Sequence, residues 1–71
     1  MIHHATVRFW QLYHALPKDV QEQADKQFAL LKANPSHPSL RFKKVGNLWS
    51  VRINLNMRAL AVQEGDDVIW F

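Results

Sequence analysis

The chain has 71 residues, of which 48% are hydrophobic and 21% charged, and its formal net charge is +3 at pH 7. This composition is typical of a globular protein with one modest core, so it excludes a disordered polar segment, and the absence of cysteine excludes disulfide bonds and thiolate zinc sites. No run approaches the ~18 apolar residues of a membrane-spanning helix and no signal sequence opens the chain, so we expect a cytoplasmic protein with no membrane association.

Two helices are predicted in the N-terminal half. The first begins after the N-cap residue Thr6 and runs to about His14. Pro17 ends it and opens a second helix, which stops at Asn34 because a proline follows and because asparagine tolerates a left-handed cap. The second helix has one apolar stripe, and Gln27 is predicted to point away from this stripe. The stripe consists of Val20, Ala24, Phe28 and Leu31.

Strands are predicted in the C-terminal half. Residues 40–45 alternate apolar and polar side chains until Lys44 breaks the pattern, and residues 48–54 alternate throughout. Residues 46–47 supply the positive φ angles of a tight hairpin between them. A third strand covers residues 57–64, and residues 68–71 begin a fourth, incomplete strand. The elements therefore predict an α+β fold in which an N-terminal two-helix hairpin packs on a three- to four-stranded antiparallel β-meander.

We expect the whole chain, 1–71, to form a single domain. Its short last strand, rich in β-branched and aromatic residues, is expected to leave an unpaired apolar edge. Pairing of that edge with a second copy would give a homodimer.

Positive charge is concentrated in the predicted sheet. Residues 35–63 contain five cations and no acid. The five are Arg41, Lys43, Lys44, Arg52 and Arg58. Such a block favours a phosphate-rich or acidic partner, although charge alone leaves open a basic face that is merely solvated.

The sequence gives little support for a metal site or for a site that stacks nucleic-acid bases. The four histidines lack the spacing of zinc ligands, so we expect no metal and no cofactor. The tryptophans could stack on the bases of a single strand, but Trp49 shares a strand face with Val51 and Ile53, which indicates a core position. The sequence leaves the role of Trp70 open.

From Phe9 onward the chain resembles the RelE/ParE superfamily of type II toxin–antitoxin toxins, most closely its HigB-like members. The resemblance is carried by FWQLYHALP, NPSHPSLRFKKV, LWSVRINLNMRAL and a strand that ends in VIWF. It implies two helices on a twisted antiparallel sheet, a cognate antitoxin that wraps the toxin and, in many members, cleavage of messenger RNA on the ribosome.

The resemblance also implies roles for the basic residues. Cleavage by a ribose 2′-hydroxyl needs a base, cations for the crowded phosphorane and an acid for the leaving 5′-oxygen. By position, Lys43 or Lys44 in the FKK match is the phosphate-side cation and candidate base. Arg52 in SVRI and Arg58 in MRAL would hold the scissile phosphate, and Arg41 would follow the RNA backbone.

Close members of the family continue beyond the final strand with a histidine and a tyrosine. We therefore expect this 71-residue form to be a weak or inactive endoribonuclease through loss of the C-terminal tail. Two alternatives remain: a ParE-like module that inhibits DNA gyrase by binding it, and a non-catalytic protein-interaction module. We favour the RNA-cleaving toxin because HPSL-x-FK with SVRI matches that side of the superfamily better.

Overall fold

The computed structural model describes residues 1–71 and has an α+β fold. The helices are α1 (Val7–His14) and α2 (Lys18–Ala33), and a short 3₁₀-helix spans Pro38–Leu40. The strands are β1 (Ile2–Ala5), β2 (Lys43–Val45), β3 (Leu48–Arg52), β4 (Arg58–Glu64) and β5 (Asp67–Trp70). Neither helix is long and apolar enough to cross a bilayer.

Local signals set the ends of the two helices. The Thr6 hydroxyl accepts a hydrogen bond from the Phe9 N–H at 3.0 Å, which confirms the predicted cap. Helix α2 begins directly after Pro17, also as predicted. The predicted left-handed cap at Asn34 is wrong, since its φ is −152° and ψ is 82°. The proline that follows Asn34 restricts it to extended conformations.

The five strands form one sheet in the order β1-β5-β4-β3-β2. Strands β2 to β5 are antiparallel neighbours in chain order, whereas β1 pairs parallel with β5, with Ile2 opposite Asp67. The sheet is therefore mixed, not purely antiparallel. The prediction of an unpaired edge on the last strand is wrong, because β5 lies between β1 and β4. The predicted homodimer through that edge is therefore not supported.

Strand β1 was not predicted, and its sequence explains why. Its four residues are mostly exposed and show no apolar alternation. The strand exists because its backbone pairs with β5 at the opposite end of the chain, with further bonds from the Ile2 N–H to the Asp66 carbonyl and from the Thr6 N–H to the Trp70 carbonyl. Such long-range pairing leaves no local signal in the sequence.

The core lies on one side of the sheet, between its inner face and α2 with the 3₁₀-helix. Six side chains form it: Leu31, Leu40, Val51, Ala61, Val68 and Trp70. Helix α1 buries no residue completely, and only its half-buried Phe9 packs against this cluster. The N-terminal helices therefore contribute unequally, since α2 alone supplies a helical core residue.

Gln27 attaches α2 to the sheet. Its side-chain amide donates to the backbone carbonyl of Arg52 at 2.9 Å and to that of Ser39 at 3.3 Å. The prediction that Gln27 turns away from the packed side of the helix is therefore wrong. A polar residue is tolerated on that side because its amide satisfies carbonyls that α2 would otherwise cover.

The predicted strand over residues 40–45 is shorter than expected. The His37 ring nitrogen accepts from the Ser39 N–H at 3.2 Å and caps the 3₁₀-helix, which places Leu40 in the core. Arg41 then takes a left-handed conformation with φ 46° and ψ 39°. This conformation costs a non-glycine residue about 1 kcal/mol. Because of this turn, the strand begins only at Lys43.

Candidate functional site

Three of the five predicted cations lie together on the outer face of the sheet, the face opposite the core. Arg52 is the cross-strand partner of Arg58, and Lys43 is the partner of Ser50. Cross-strand partners share a face, as do residues two apart on a strand, so the three cations and the Ser50 hydroxyl all lie on the outer face. We call Lys43, Arg52 and Arg58 the outer-face cation cluster.

Ser50 lies at the centre of this cluster. Its Oγ accepts a hydrogen bond from Nη1 of Arg58 at 3.2 Å, while Lys43 neighbours it on the other side. Arg52 and Arg58 are directly opposed, with Cβ atoms roughly 5 Å apart, an arrangement that is destabilising for like charges. A bound anion between the guanidinium groups would relieve this repulsion.

No carboxylate neutralises the cluster. The ion pairs of the chain join the N-terminal ammonium to Asp66 at 3.7 Å and His4 to Asp67 at 3.2 Å. Neither pair involves one of the five predicted cations. Three unpaired positive charges and one hydroxyl can bind a phosphodiester and stabilise further negative charge that develops on its oxygens.

Lys44 and Arg41 do not join the cluster. Lys44 lies on the inner face of β2, where its Nζ is 5.7 Å from the centroid of the Trp49 ring. Arg41 precedes β2 in the left-handed turn and is exposed. The adjacent lysines, which the sequence treated as alternatives for one role, are therefore separated by the sheet, and only Lys43 lies beside Ser50.

Both tryptophans of the sheet belong to the inner face. Trp49 stacks on Phe42 with ring centroids 4.3 Å apart, and its Nε1 donates to Gln63 Oε1 at 2.9 Å. Its predicted packing against the core is confirmed. Trp70 is buried, and its Nε1 donates to Nδ1 of His3 at 3.0 Å. Neither ring lies beside the cation cluster, so the cluster has no tryptophan on which a base could stack.

A cavity of about 270 Å³ lies between α1, α2 and the inner face, and most of its lining is apolar. Tyr13 donates to Oδ1 of Asp25 at 2.7 Å at its rim, and this hydrogen bond, with smaller effects of desolvation and of the carboxylate charge, raises the pKa of Tyr13. Burial is the main cause that lowers the pKa of His3, followed by the N-terminal ammonium, Lys32 and His4. No member of the cation cluster lines this cavity.

Ser50 is the functional residue that the sequence reasoning missed. The sequence around it lacks the context of a nucleophilic serine, so the sequence assigns it no role. The strict alternation of β3 carried the relevant signal, because it places Ser50 on the same face as Arg52.

No cluster of three or more histidine, aspartate or glutamate side chains is arranged to hold a metal ion. Neither protein-family models nor curated proteins match this chain. What distinguishes the outer face is thus its own geometry: three cations around one hydroxyl, without an acidic partner.

Proposed function

We propose that this chain is the toxin of a type II toxin–antitoxin system and that it cleaves messenger RNA on the ribosome. The observation that carries the proposal is the outer-face cation cluster, whose positive charges lack carboxylate partners. Its members stand at the positions that the resemblance to HigB-like toxins assigns to the scissile phosphate. A cytoplasmic location follows from this target.

The geometry supports a division of roles in the cleavage. The ribose 2′-oxygen attacks phosphorus, and the bond to the 5′-oxygen breaks, which leaves a 2′,3′-cyclic phosphate and a 5′-hydroxyl. Arg52 and Arg58 hold the non-bridging oxygens, and the Ser50 hydroxyl positions the Arg58 guanidinium. Lys43, beside Ser50, is the candidate base for the proton of the 2′-hydroxyl, and solvent protonates the 5′-oxygen.

The proposal includes a cognate antitoxin as protein partner. Helix α1 supports this part because it exposes large apolar side chains that no other segment of the chain covers. Val7 is 76% exposed, Trp10 48% and Leu12 51%. A partner that covers this helix would remove the apolar surface from water.

A translation extract tests the proposal, with primer extension on a reporter messenger RNA as the readout. We expect weak cleavage by the wild-type chain, a loss of about 10²–10³-fold in Arg58→Ala and an unchanged rate in Arg8→Ala. Arg8 is the matched control because it is an exposed arginine on α1, away from the sheet. Equal rates for the two variants would rule out the proposed role of the cluster.

Binding to a single-stranded RNA oligonucleotide gives a second readout that does not depend on turnover. Three phosphate contacts predict a slope of about −2 for log K against log salt concentration, and loss of Arg58 should make it less steep by about 0.7. An RNA-binding constant that does not change with salt concentration would show that the cations are merely solvated. RNA binding without any cleavage would contradict the proposed endoribonuclease activity and would support a non-catalytic RNA-binding module.

One observation favours a second candidate, a ParE-like inhibitor that binds DNA gyrase. The outer face also exposes apolar side chains next to the cations, with Leu48 45% and Leu60 41% exposed. Apolar contacts of this kind suit a protein partner better than a phosphate backbone. Inhibition of gyrase supercoiling by the wild-type chain, without RNA cleavage, would establish this function instead.

A further inference from the structure

We propose that the outer face of the sheet mediates a symmetric, face-to-face dimer of this chain. The face carries opposite charges at its two ends along β4. The cation cluster occupies one end, near Arg58, and acidic residues occupy the other, where Glu64 is the cross-strand partner of Asp67. Asp66 follows in the adjoining turn and pairs with the N-terminal ammonium, and Asp67 pairs with His4, so Glu64 is the acid of this end without a partner.

Between the two charged ends the face is apolar. The register places the following side chains there: Val45, Leu48, Leu60, Val62 and Ile69. Val45 is 73% exposed, and Leu48 and Leu60 are also among the exposed large hydrophobic residues of the chain. No helix covers this side of the sheet, since α2 and the 3₁₀-helix pack on the inner face. The outer face is thus an apolar centre between a basic and an acidic end.

A second copy is the partner that complements all three parts at once. A two-fold axis that runs across the strands, in the plane of the interface, stacks the two β4 strands antiparallel. Arg58 of each copy then lies over Glu64 of the other, and the apolar centres meet. Arg58 and Glu64 are six residues apart on β4, or about 20 Å, so the two sets of ion pairs form at separate places.

Single-stranded RNA matches only part of this surface. Its phosphates suit the basic end but are repelled by the unpaired Glu64 at the other end. The second copy and RNA would therefore compete for the cation cluster. This regulatory consequence rests on the proposed function, whereas the dimer itself does not.

The size of the face predicts a weak dimer. The five strands have three to seven residues each and are spaced about 4.8 Å apart, which gives a projected area on the order of 400 Å² per copy. The total of about 800 Å² is below the usual size of a specific interface, so the dimer should be weak and should depend on concentration.

Sedimentation equilibrium of the wild-type chain, over a concentration series without RNA, tests the dimer. Arg58→Glu and Glu64→Arg should each raise the dissociation constant at least about tenfold, because each replaces two attractive contacts by two repulsive ones. The double variant Arg58→Glu/Glu64→Arg restores both attractions and should return to within about threefold of wild type. Lys18→Glu reverses an exposed charge on α2 and should leave the constant unchanged.

Arg58 and Glu64 are both exposed, so these variants are expected to fold, which circular dichroism checks. The wild-type chain also supplies a test without substitution, because rising salt should weaken the dimer. A monomer at every concentration, single variants that dimerise like wild type, or a double variant as weak as the single ones would each overturn the proposal.

An RNA oligonucleotide added to the wild-type dimer separates this proposal from the proposed function. RNA that shifts the chain to monomer supports both. If the dimer forms and responds to the charge reversals as expected but is unchanged by RNA, the dimer proposal is supported and RNA binding by the cluster is contradicted.

Discussion

Replacing Leu31 by alanine should destabilise the protein by about 3 kcal/mol. Leu31 is only 1% exposed and is the one core residue that lies on an α-helix. Burial of this kind makes a leucine-to-alanine change cost about 2–5 kcal/mol. Leu31 also lines the cavity beside α1, where neighbouring side chains have room to relax, so a value near the middle of the range is expected.

That loss is large for a protein of this size. At roughly 0.05–0.15 kcal/mol per residue, the whole chain should have an unfolding free energy of about 4–10 kcal/mol. A loss of about 3 kcal/mol should lower the melting temperature by roughly 12–24 °C. Urea unfolding followed by tryptophan fluorescence measures it directly, because Trp70 is buried in the same core.

Leu12→Ala is the matched control, since it makes the same chemical change on the other helix. Leu12 is 51% exposed on α1, so its replacement should cost less than about 1 kcal/mol. Equal losses in the two variants, or a loss below about 1 kcal/mol for Leu31→Ala, would refute the assignment of the core to α2.

Two further predictions concern titration. The pKa of His3 is lowered in the folded protein from its ordinary 6.5, so the unfolded chain binds the proton more readily and the free energy of unfolding should fall as pH decreases below about 6.5. Urea unfolding at several pH values should show a smaller decrease in the free energy of unfolding for His3→Gln than for the wild-type chain. An equal decrease in both proteins would contradict this reasoning. The pKa of Tyr13 can be measured by the ultraviolet absorbance of tyrosinate, because Tyr13 is the only tyrosine of the chain. Asp25→Asn should bring its raised pKa back toward 10.0. The control Asp19→Asn should leave the pKa unchanged.

The sequence determined the local features of the fold. The cap at Thr6 and the break at Pro17 depend on neighbouring residues alone, and both are where the sequence predicts them. Of the two positive φ angles predicted for the turn at residues 46–47, only that of Gly46 is found, at 63°, which glycine adopts without strain. The strand alternation around Arg52 likewise placed the charged and apolar sides of β3 correctly, because side-chain direction in a strand repeats every second residue.

Only the tertiary structure decided which of these pieces meet. Strand β1 depends on pairing with β5 across the length of the chain, and Gln27 turns inward because it finds carbonyls of distant segments. The 3₁₀-helix that places Leu40 in the core, followed by the left-handed turn at Arg41, replaces the first residues of the predicted strand 40–45. These outcomes depend on contacts between residues far apart in sequence, which no local pattern encodes.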